Sequence, residues 1–324
     1  MATTTQPISA REATFADYFD RVVDNIELVI QGKRDVIELV LLCLVSEGHL
    51  LLEDVPGVGK TSLAKSLATS LDASFGRVQF TPDLLPSDVV GITVWNRGDG
   101  TFTFRPGPIF NNVVLADEIN RASPKTQAAL LEAMAENQVT VDGATYPMNL
   151  PFMVIATQNP IEHEGTYPLP ESQLDRFLMR VSVGYPTPDA ELEILDTHGD
   201  HDPFADIGPV ISAEHITALV HAARGVHMAP GIKAYLVDLA NATRRSPHLT
   251  LGMSPRATLA LARVARARAA AQGRSYVIPD DVKALAVPVL AHRCMATPEA
   301  QFQGMGPAEA LAQILTTVTV PGGH

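Results

Sequence analysis

The stretch Asp54-Val55-Pro56-Gly57-Val58-Gly59-Lys60-Thr61 constrains this chain more than any other, because it leaves an apolar run, turns glycine-rich and opens an amphipathic segment. Backbone N–H groups can wrap an anion only where no Cβ blocks the approach, and a helix that follows adds the positive end of its dipole. The segment therefore reads as a phosphate-binding loop between a strand and a helix, with Lys60 reaching the β and γ phosphates and Thr61 a ligand for Mg²⁺. The pattern is broken in one place, where Asp54 replaces the usual glycine. Aspartate tolerates left-handed backbone angles, so the loop is expected to survive, with the carboxylate close enough to the phosphates to weaken affinity.

Five short apolar runs recur along the first half of the chain: Leu50 to Leu52, Val78 to Phe80, Val113 to Ala116, Phe152 to Ala156 and Phe177 to Val183. Helical patterns lie between several of them, which predicts a doubly wound parallel sheet with helices on both faces, an α/β class. Ligands of such sheets bind beyond the carboxyl ends of the strands, where the phosphate loop begins. Ser123 and Pro124 form a helix start, Leu130, Leu131 and Met134 its apolar face, and Asn137 its end. Two hairpins are expected outside the sheet, at Ile92 to Phe104 and at Gln138 to Met148 around Asp142-Gly143. Segments that the sheet does not need are candidates for substrate contact or assembly. After Tyr185-Pro186-Thr187-Pro188 the texture becomes rich in alanine and arginine, so the reading divides the chain into a core over residues 1–188 and a separate, mostly helical domain over 189–324.

Composition narrows the function. Against 24 basic residues stand 36 acidic ones, a net charge of -12, which is a poor footprint for nucleic acid. Cys43 and Cys294 are too few for a disulfide framework and read as core fillers in a reducing cytoplasm. Met1 to Ala10 lacks the apolar core of a signal peptide. The apolar stretch Val36 to Leu52 is broken by Glu38, Ser46, Glu47, Gly48 and His49, so no membrane span is expected.

Chemistry gathers at the expected strand tips. Val113-Val114-Leu115-Ala116 runs into Asp117 and Glu118, which divide two jobs: Asp117 holds Mg²⁺, and Glu118 polarises the water that attacks the γ-phosphate. Asn159, closing Ala156-Thr157-Gln158-Asn159-Pro160, is placed to orient that water or, alternatively, to form a turn before the proline. Negative charge spreads over the transferring phosphoryl group, so cations besides Lys60 are needed; Arg176 and Arg256 are the candidates, each also readable as half of an intrachain ion pair. His198, Asp200, His201 and Asp202 resemble a metal cluster but read better as a solvated loop. Arg263, Arg266, Arg268 and Arg274 read as a solvated helix face, the alternative being an intersubunit or polyanion surface.

With the phosphate loop in hand, four further strings, Gln79-Phe80-Thr81-Pro82-Asp83-Leu84-Leu85-Pro86-Ser87-Asp88, Asp117-Glu118-Ile119-Asn120-Arg121-Ala122, Asn159-Pro160-Ile161-Glu162 and Gln173-Leu174-Asp175-Arg176-Phe177, make the chain resemble a MoxR-type AAA+ ATPase over nearly its whole length. The resemblance implies Gly57, Val58, Gly59, Lys60, Thr61 and Ser62 as nucleotide contacts, Asp117 and Glu118 as Walker B, Asn159 as sensor 1, Arg176 as a trans arginine finger and Arg256 as sensor 2. It implies that the hairpins are a helix-2 insert and a pre-sensor hairpin, and that the second domain is a lid. Gln31-Gly32-Lys33 stands where such proteins carry an adenine-contacting turn, so Gly32 joins the nucleotide set. ATP with Mg²⁺, a hexameric ring and a protein client, often a von Willebrand factor A domain protein, are further implications. Two alternatives carry a different function: an ATP-gated scaffold with little turnover, and a magnesium-chelatase-like or nucleic-acid remodelling motor.

Overall fold

The computed structural model describes residues 13–98, 100–160, 165–192 and 202–320. Helices α1 (Phe15–Glu27) and α2 (Arg34–Val45) precede strand β1 (Leu50–Glu53) and helix α3 (Lys60–Ser70). Next come β2 (Phe75–Gln79), α4 (Pro86–Val90) and the hairpin of β3 (Gly91–Asn96) and β4 (Thr101–Pro106). They are followed by β5 (Val113–Asp117), α5 (Pro124–Glu136), the hairpin of β6 (Gln138–Val141) and β7 (Ala144–Pro147), β8 (Met153–Gln158), α6 (Glu171–Leu174) and β9 (Met179–Val181).

Five strands form one parallel sheet in the order β2-β5-β8-β1-β9. That order sets the carboxyl tips of β5, β8 and β1 side by side, bringing Asp117, Gln158 and the start of the glycine-rich loop to one edge. Strand alternation divides the core in two. Leu50, Leu52, Val113, Leu115, Met153 and Ile155 pack on one face with α1, α2 and α3, while Leu51, Val114, Ala116, Val154 and Ala156 pack on the other with Leu130, Leu131 and Met134 of α5. Helix α5 starts where Ser123 Oγ accepts from the Thr126 N–H at 3.4 Å, and it ends at Asn137, whose φ of +50° is left-handed.

Two strand limits differ from expectation. Strand β2 starts at Phe75, three residues before Val78, because Arg77 and Gln79 alternate with buried Gly76 and Val78 instead of extending an apolar run. Strand β9 is limited to Met179–Val181. Upstream, the carbonyls of Phe177 and Leu178 accept from His292 and Arg293 side chains, so those residues leave the ladder.

Both hairpins stand outside the central sheet as separate two-stranded ribbons. They meet through Phe104 and Tyr146, stacked with ring centroids 4.0 Å apart. At the tip of the first ribbon, Trp95 and Phe102 are cross-strand partners and both exposed.

Helix α7 begins at residue 188 and is described to 192. Beyond it come α8 (Ala213–Gly225), α9 (Pro230–Arg245), β10 (Leu249–Leu251), α10 (Pro255–Ala271), α11 (Pro279–Leu290), β11 (Met295–Ala296), α12 (Pro298–Phe302) and α13 (Pro307–Thr317). This lid has no core of its own: its apolar residues, Leu236, Leu261, Val264 and Leu285 among them, belong to the same cluster as α1, α2, α3 and one sheet face. Among the described residues no helix is long and apolar enough to cross a membrane. Cys43 and Cys294 are buried and free. His198, Asp200 and His201 of the expected solvated loop lie outside the described residues; Asp202 caps a short turn by accepting from the Phe204 N–H.

Candidate functional site

Gly57 and Gly59 both adopt φ of +86°, a left-handed angle that makes glycine the residue of choice in the loop. A Cβ at Gly57 would meet no protein atom within 4 Å, so the loop's backbone faces open space there and fits a phosphate cradle. Gly59 is the N-cap of α3, whose first two residues are Lys60 and Thr61. The Lys60 Nζ donates to the carbonyls of Asp54 and Val55 at 2.8 and 3.1 Å, across the mouth of the loop. Burial lowers its pKa, against the opposing pull of Asp54, Asp117 and Glu118. Val58 packs into the core. The Gly32 turn lies next to the loop, since the Ile30 side chain comes within 3.7 Å of where a Cβ on Gly59 would stand.

Asp54 overturns the expectation placed on it. Its backbone is not left-handed. Its carboxylate turns away from the cradle and accepts from the Gly184 N–H at 2.6 Å and the Ser182 hydroxyl at 2.9 Å on one oxygen, and from the Val55 N–H at 2.9 Å on the other. Burial alone would raise its pKa, yet those donors together hold it below the ordinary value. The residue ties the root of the loop to the end of β9.

A cavity of about 260 Å³ opens beside Gly57, Lys60 and Thr61 and is also lined by Asp117, Glu118, Thr157 and Asn159. Ser62 and Gly32 do not line it. Glu118, at the tip of β5, has a φ of +55°, a strained angle for a residue with a Cβ. Thr157 of β8 fixes both acids: its hydroxyl donates to Asp117 Oδ1 at 2.7 Å and accepts from the Glu118 N–H at 2.8 Å. Asp117 Oδ2 accepts from Arg77 at 2.6 Å, and Glu118 Oε2 from Gln79 and Arg121 at 2.9 and 3.0 Å. Each Asp117 oxygen takes one of these bonds and keeps a second lone pair, so with the Thr61 hydroxyl it makes a hard oxygen donor set suited to Mg²⁺.

Sequence reasoning missed Thr157, Arg77 and Gln79 as members of the site. Their signal lay in registry: Arg77 and Gln79 share one face of β2, and Gln79 pairs with Asp117 across the strands. A polar pair alternating with Gly76 and Val78 at a sheet edge was the available clue.

Arg176 and Arg256 lie at the other end of the sheet. Both line a second cavity of about 610 Å³, together with Gly48 and His49, which precede β1. The phosphate loop leaves the opposite end of that four-residue strand, roughly 13 Å away at the usual strand rise. Arg176 donates to the Leu131 carbonyl at 3.0 Å, and Arg256 approaches Asp175 at 3.6 Å. The structure thus unites Lys60, Thr61, Asp117, Glu118 and Asn159 and keeps Arg176 and Arg256 apart from them.

Of the four arginines expected on a solvated helix face, Arg263 is exposed, and Arg274 lies beyond the end of α10. Arg274 and Arg268 reach Asp281 at 2.6 and 3.8 Å, while Arg263 and Arg266 line the larger cavity.

Comparison with known proteins bears on this arrangement. A family model described as "ATPase family associated with various cellular activities (AAA)" matches residues 49–179, and one described as "AAA lid domain" matches residues 241–314. Chaperone MoxR1 of Mycobacterium tuberculosis is 41% identical over 93% of this chain and 82% of its own length. Protein MoxR of Paracoccus denitrificans is 34% identical over 90% of this chain and 93% of its own length. Uncharacterized protein YeaC of Bacillus subtilis is 50% identical over 93% and 94% respectively. A crystal structure of a candidate ATPase from Cytophaga hutchinsonii superposes with a TM-score of 0.89 at 37% identity, covering 95% of this chain and 96% of that one.

Proposed function

The chain belongs to the MoxR-type AAA+ ATPases, and from that premise we propose that it hydrolyses ATP as a ring of identical subunits, each completing its neighbour's site. The family membership carries ATPase character and a chaperone-like role in general. The reading goes further in its parts: a cytoplasmic, hexameric motor that uses ATP and Mg²⁺ to remodel or mature a partner protein complex, with a von Willebrand factor A domain protein as the candidate partner.

One observation supports the shared site above all. Lys60, Asp117 and Glu118 lie at the carboxyl edge of the sheet and Arg176 and Arg256 at the amino edge, so one chain cannot bring both sets to one phosphate. A head-to-tail ring, which apposes opposite edges of successive subunits, would join them. Bound Mg²⁺ would supply charge neutralisation across the phosphates, held by Thr61 and Asp117. The loop N–H groups and Lys60 bind and orient the phosphate chain. Glu118, aimed by its left-handed backbone and by Thr157, takes the proton of the attacking water, which Asn159 helps to position. Arg176 and Arg256 of the adjacent subunit stabilise charge as it develops.

Mixing inactive subunits tests the proposal. Arg176→Ala chains keep a sound phosphate loop, and Lys60→Ala chains keep a sound finger. Together they are expected to recover ATPase activity that neither has alone. Silence at every mixing ratio contradicts a shared site.

The nucleotide-gated scaffold is favoured by a different observation: Gln79 and Arg121 both donate to Glu118 Oε2, which withholds that oxygen from an attacking water. A motor held in check until its partner arrives has the same feature.

A further inference from the structure

Residues 175–178 lie between α6 and β9, in neither helix nor strand. Buried backbone groups left out of helix and ladder need other partners, and here the lid supplies them. The Arg293 side chain, 5% exposed, uses all five of its N–H donors. Its Nε donates to Asp175 Oδ1 at 2.7 Å, and its Nη2 to the Phe177 and Asp175 carbonyls at 2.7 and 3.2 Å. Its Nη1 donates to the Leu178 carbonyl at 3.0 Å and to the Val289 carbonyl of α11. The neighbouring His292 adds a bond from Nε2 to the Phe177 carbonyl at 3.0 Å. The other Asp175 oxygen faces Arg256 of α10 at 3.6 Å. Arg176 springs from the middle of this segment and donates to the Leu131 carbonyl at 3.0 Å.

A guanidinium is planar and rigid, so one whose donors are all engaged fixes both the place and the direction of what it holds. Four of the five Arg293 bonds end on residues 175–178. The lid therefore sets the backbone that carries Arg176, and through Asp175 the same residues reach Arg256. That matters for a group meant to meet charge as it develops, because a misplacement of about 1 Å can cost about 100-fold in rate.

We propose, on the basis of the shared site above, that Asp175 and Arg293 are positioning residues for Arg176: the lid of each subunit, through Arg293, sets the arginine that the subunit offers to its neighbour, and Asp175 holds Arg256 beside it. A change in how one lid sits is then felt at the next subunit's phosphates. The subunit's own phosphate loop, at the opposite edge of the sheet, is untouched.

The test is the ATPase rate of full chains mixed in Mg²⁺ and ATP. Asp175→Asn keeps the size of the side chain and removes its charge. Alone it is expected to lower the rate about tenfold or more, with ATP affinity by calorimetry changed less than about twofold. Mixed with Lys60→Ala chains, whose residues 175–178 are sound, it is expected to regain activity several-fold above the sum of the two alone, since random mixing joins a sound loop to a sound finger at about one interface in four. Mixed with Arg176→Ala chains it is expected to stay low, because neither then offers a working finger. Arg293→Lys, which keeps the charge and loses the fork, is expected to repeat this pattern from the lid side; should it melt too early to assemble, Asp175→Asn carries the test alone. Residues that merely held the fold together would not separate the two mixtures. An undiminished rate in Asp175→Asn, or recovery with Arg176→Ala, overturns the positioning role. So does silence with Lys60→Ala under conditions where Arg176→Ala and Lys60→Ala chains restore each other. If that last pair is itself silent, the shared site fails and the positioning role falls with it.

Discussion

Thr157 joins the two acidic residues of the site through one hydroxyl, donating a hydrogen bond to Asp117 and accepting one from the Glu118 backbone N–H. The hydrogen bond to the Asp117 carboxylate contributes about 1.5–3 kcal/mol, while the bond from the Glu118 N–H fixes the backbone that aims the proposed base. Thr157→Val keeps the shape and deletes both bonds. It is expected to lower the ATPase rate by about 10- to 100-fold with ATP affinity changed far less, measured as turnover and dissociation constant on the same preparation. An unchanged rate would remove the hydroxyl from the machinery. Asp54 acts at a distance from the phosphates. Because its carboxylate is spent on Gly184, Ser182 and Val55, Asp54→Gly should not tighten ATP binding; it should lower the melting temperature by about 3 °C through loss of roughly 2 kcal/mol. A glycine variant that binds ATP more tightly and melts no earlier would show the carboxylate facing the nucleotide after all. The identity of the loop and of the Asp117-Glu118 pair was legible because each lies within a few consecutive residues. Where the Asp54 side chain points was not legible, since its partners come from more than a hundred residues downstream.

At the scale of elements, buried histidines hold the amino edge of the sheet together. His49 accepts from the Val154 N–H through Nδ1 at 3.0 Å, which leaves Nε2 to donate to the Met134 carbonyl at 3.0 Å. That neutral tautomer joins β1, β8 and α5. Burial pushes the His49 pKa down from 6.5 to about 4, and burial with the Arg293 charge pushes His292 down to about 3. Both depressed values have the same sign: the unfolded chain binds protons near pH 6.5 that the folded chain refuses. Stability is therefore full above pH 6.5 and is lost as pH falls towards 4, at about 1.4 kcal/mol per pH unit for each histidine. Urea unfolding at pH 7 and at pH 5 should differ by about 2–4 kcal/mol, and His49→Gln should show a smaller difference. Equal stability at the two pH values would mean the rings are not held neutral. The strands β1, β5 and β8 were readable because a parallel sheet buried on both faces demands short unbroken apolar runs. Strands β2 and β9 were misjudged at their ends for the opposite reason: β2 has one polar face, and β9 loses two residues to lid side chains that no local pattern announces.

Over the whole molecule, strand direction decides what one chain can do. All five strands of the central sheet run the same way, so the glycine-rich loop and the Asp117-Glu118 pair share one edge while Arg176 and the lid's Arg256 share the other. Sequence showed which residues were candidates for phosphoryl chemistry, because their types and neighbours are local. Their division between two edges depends on where the lid docks against the sheet. That docking is set by a continuous apolar core contributed by α1, α2, α3 and the lid helices together, and no single segment specifies it. On the proposed shared site, turnover is tied to assembly. The direct measurement is ATPase rate per subunit against protein concentration, with mass from light scattering in the same Mg²⁺ and ATP buffer. The account predicts a rate per subunit that climbs as the oligomer forms and is near zero in the monomer. A rate per subunit that stays constant from monomer to oligomer would contradict it.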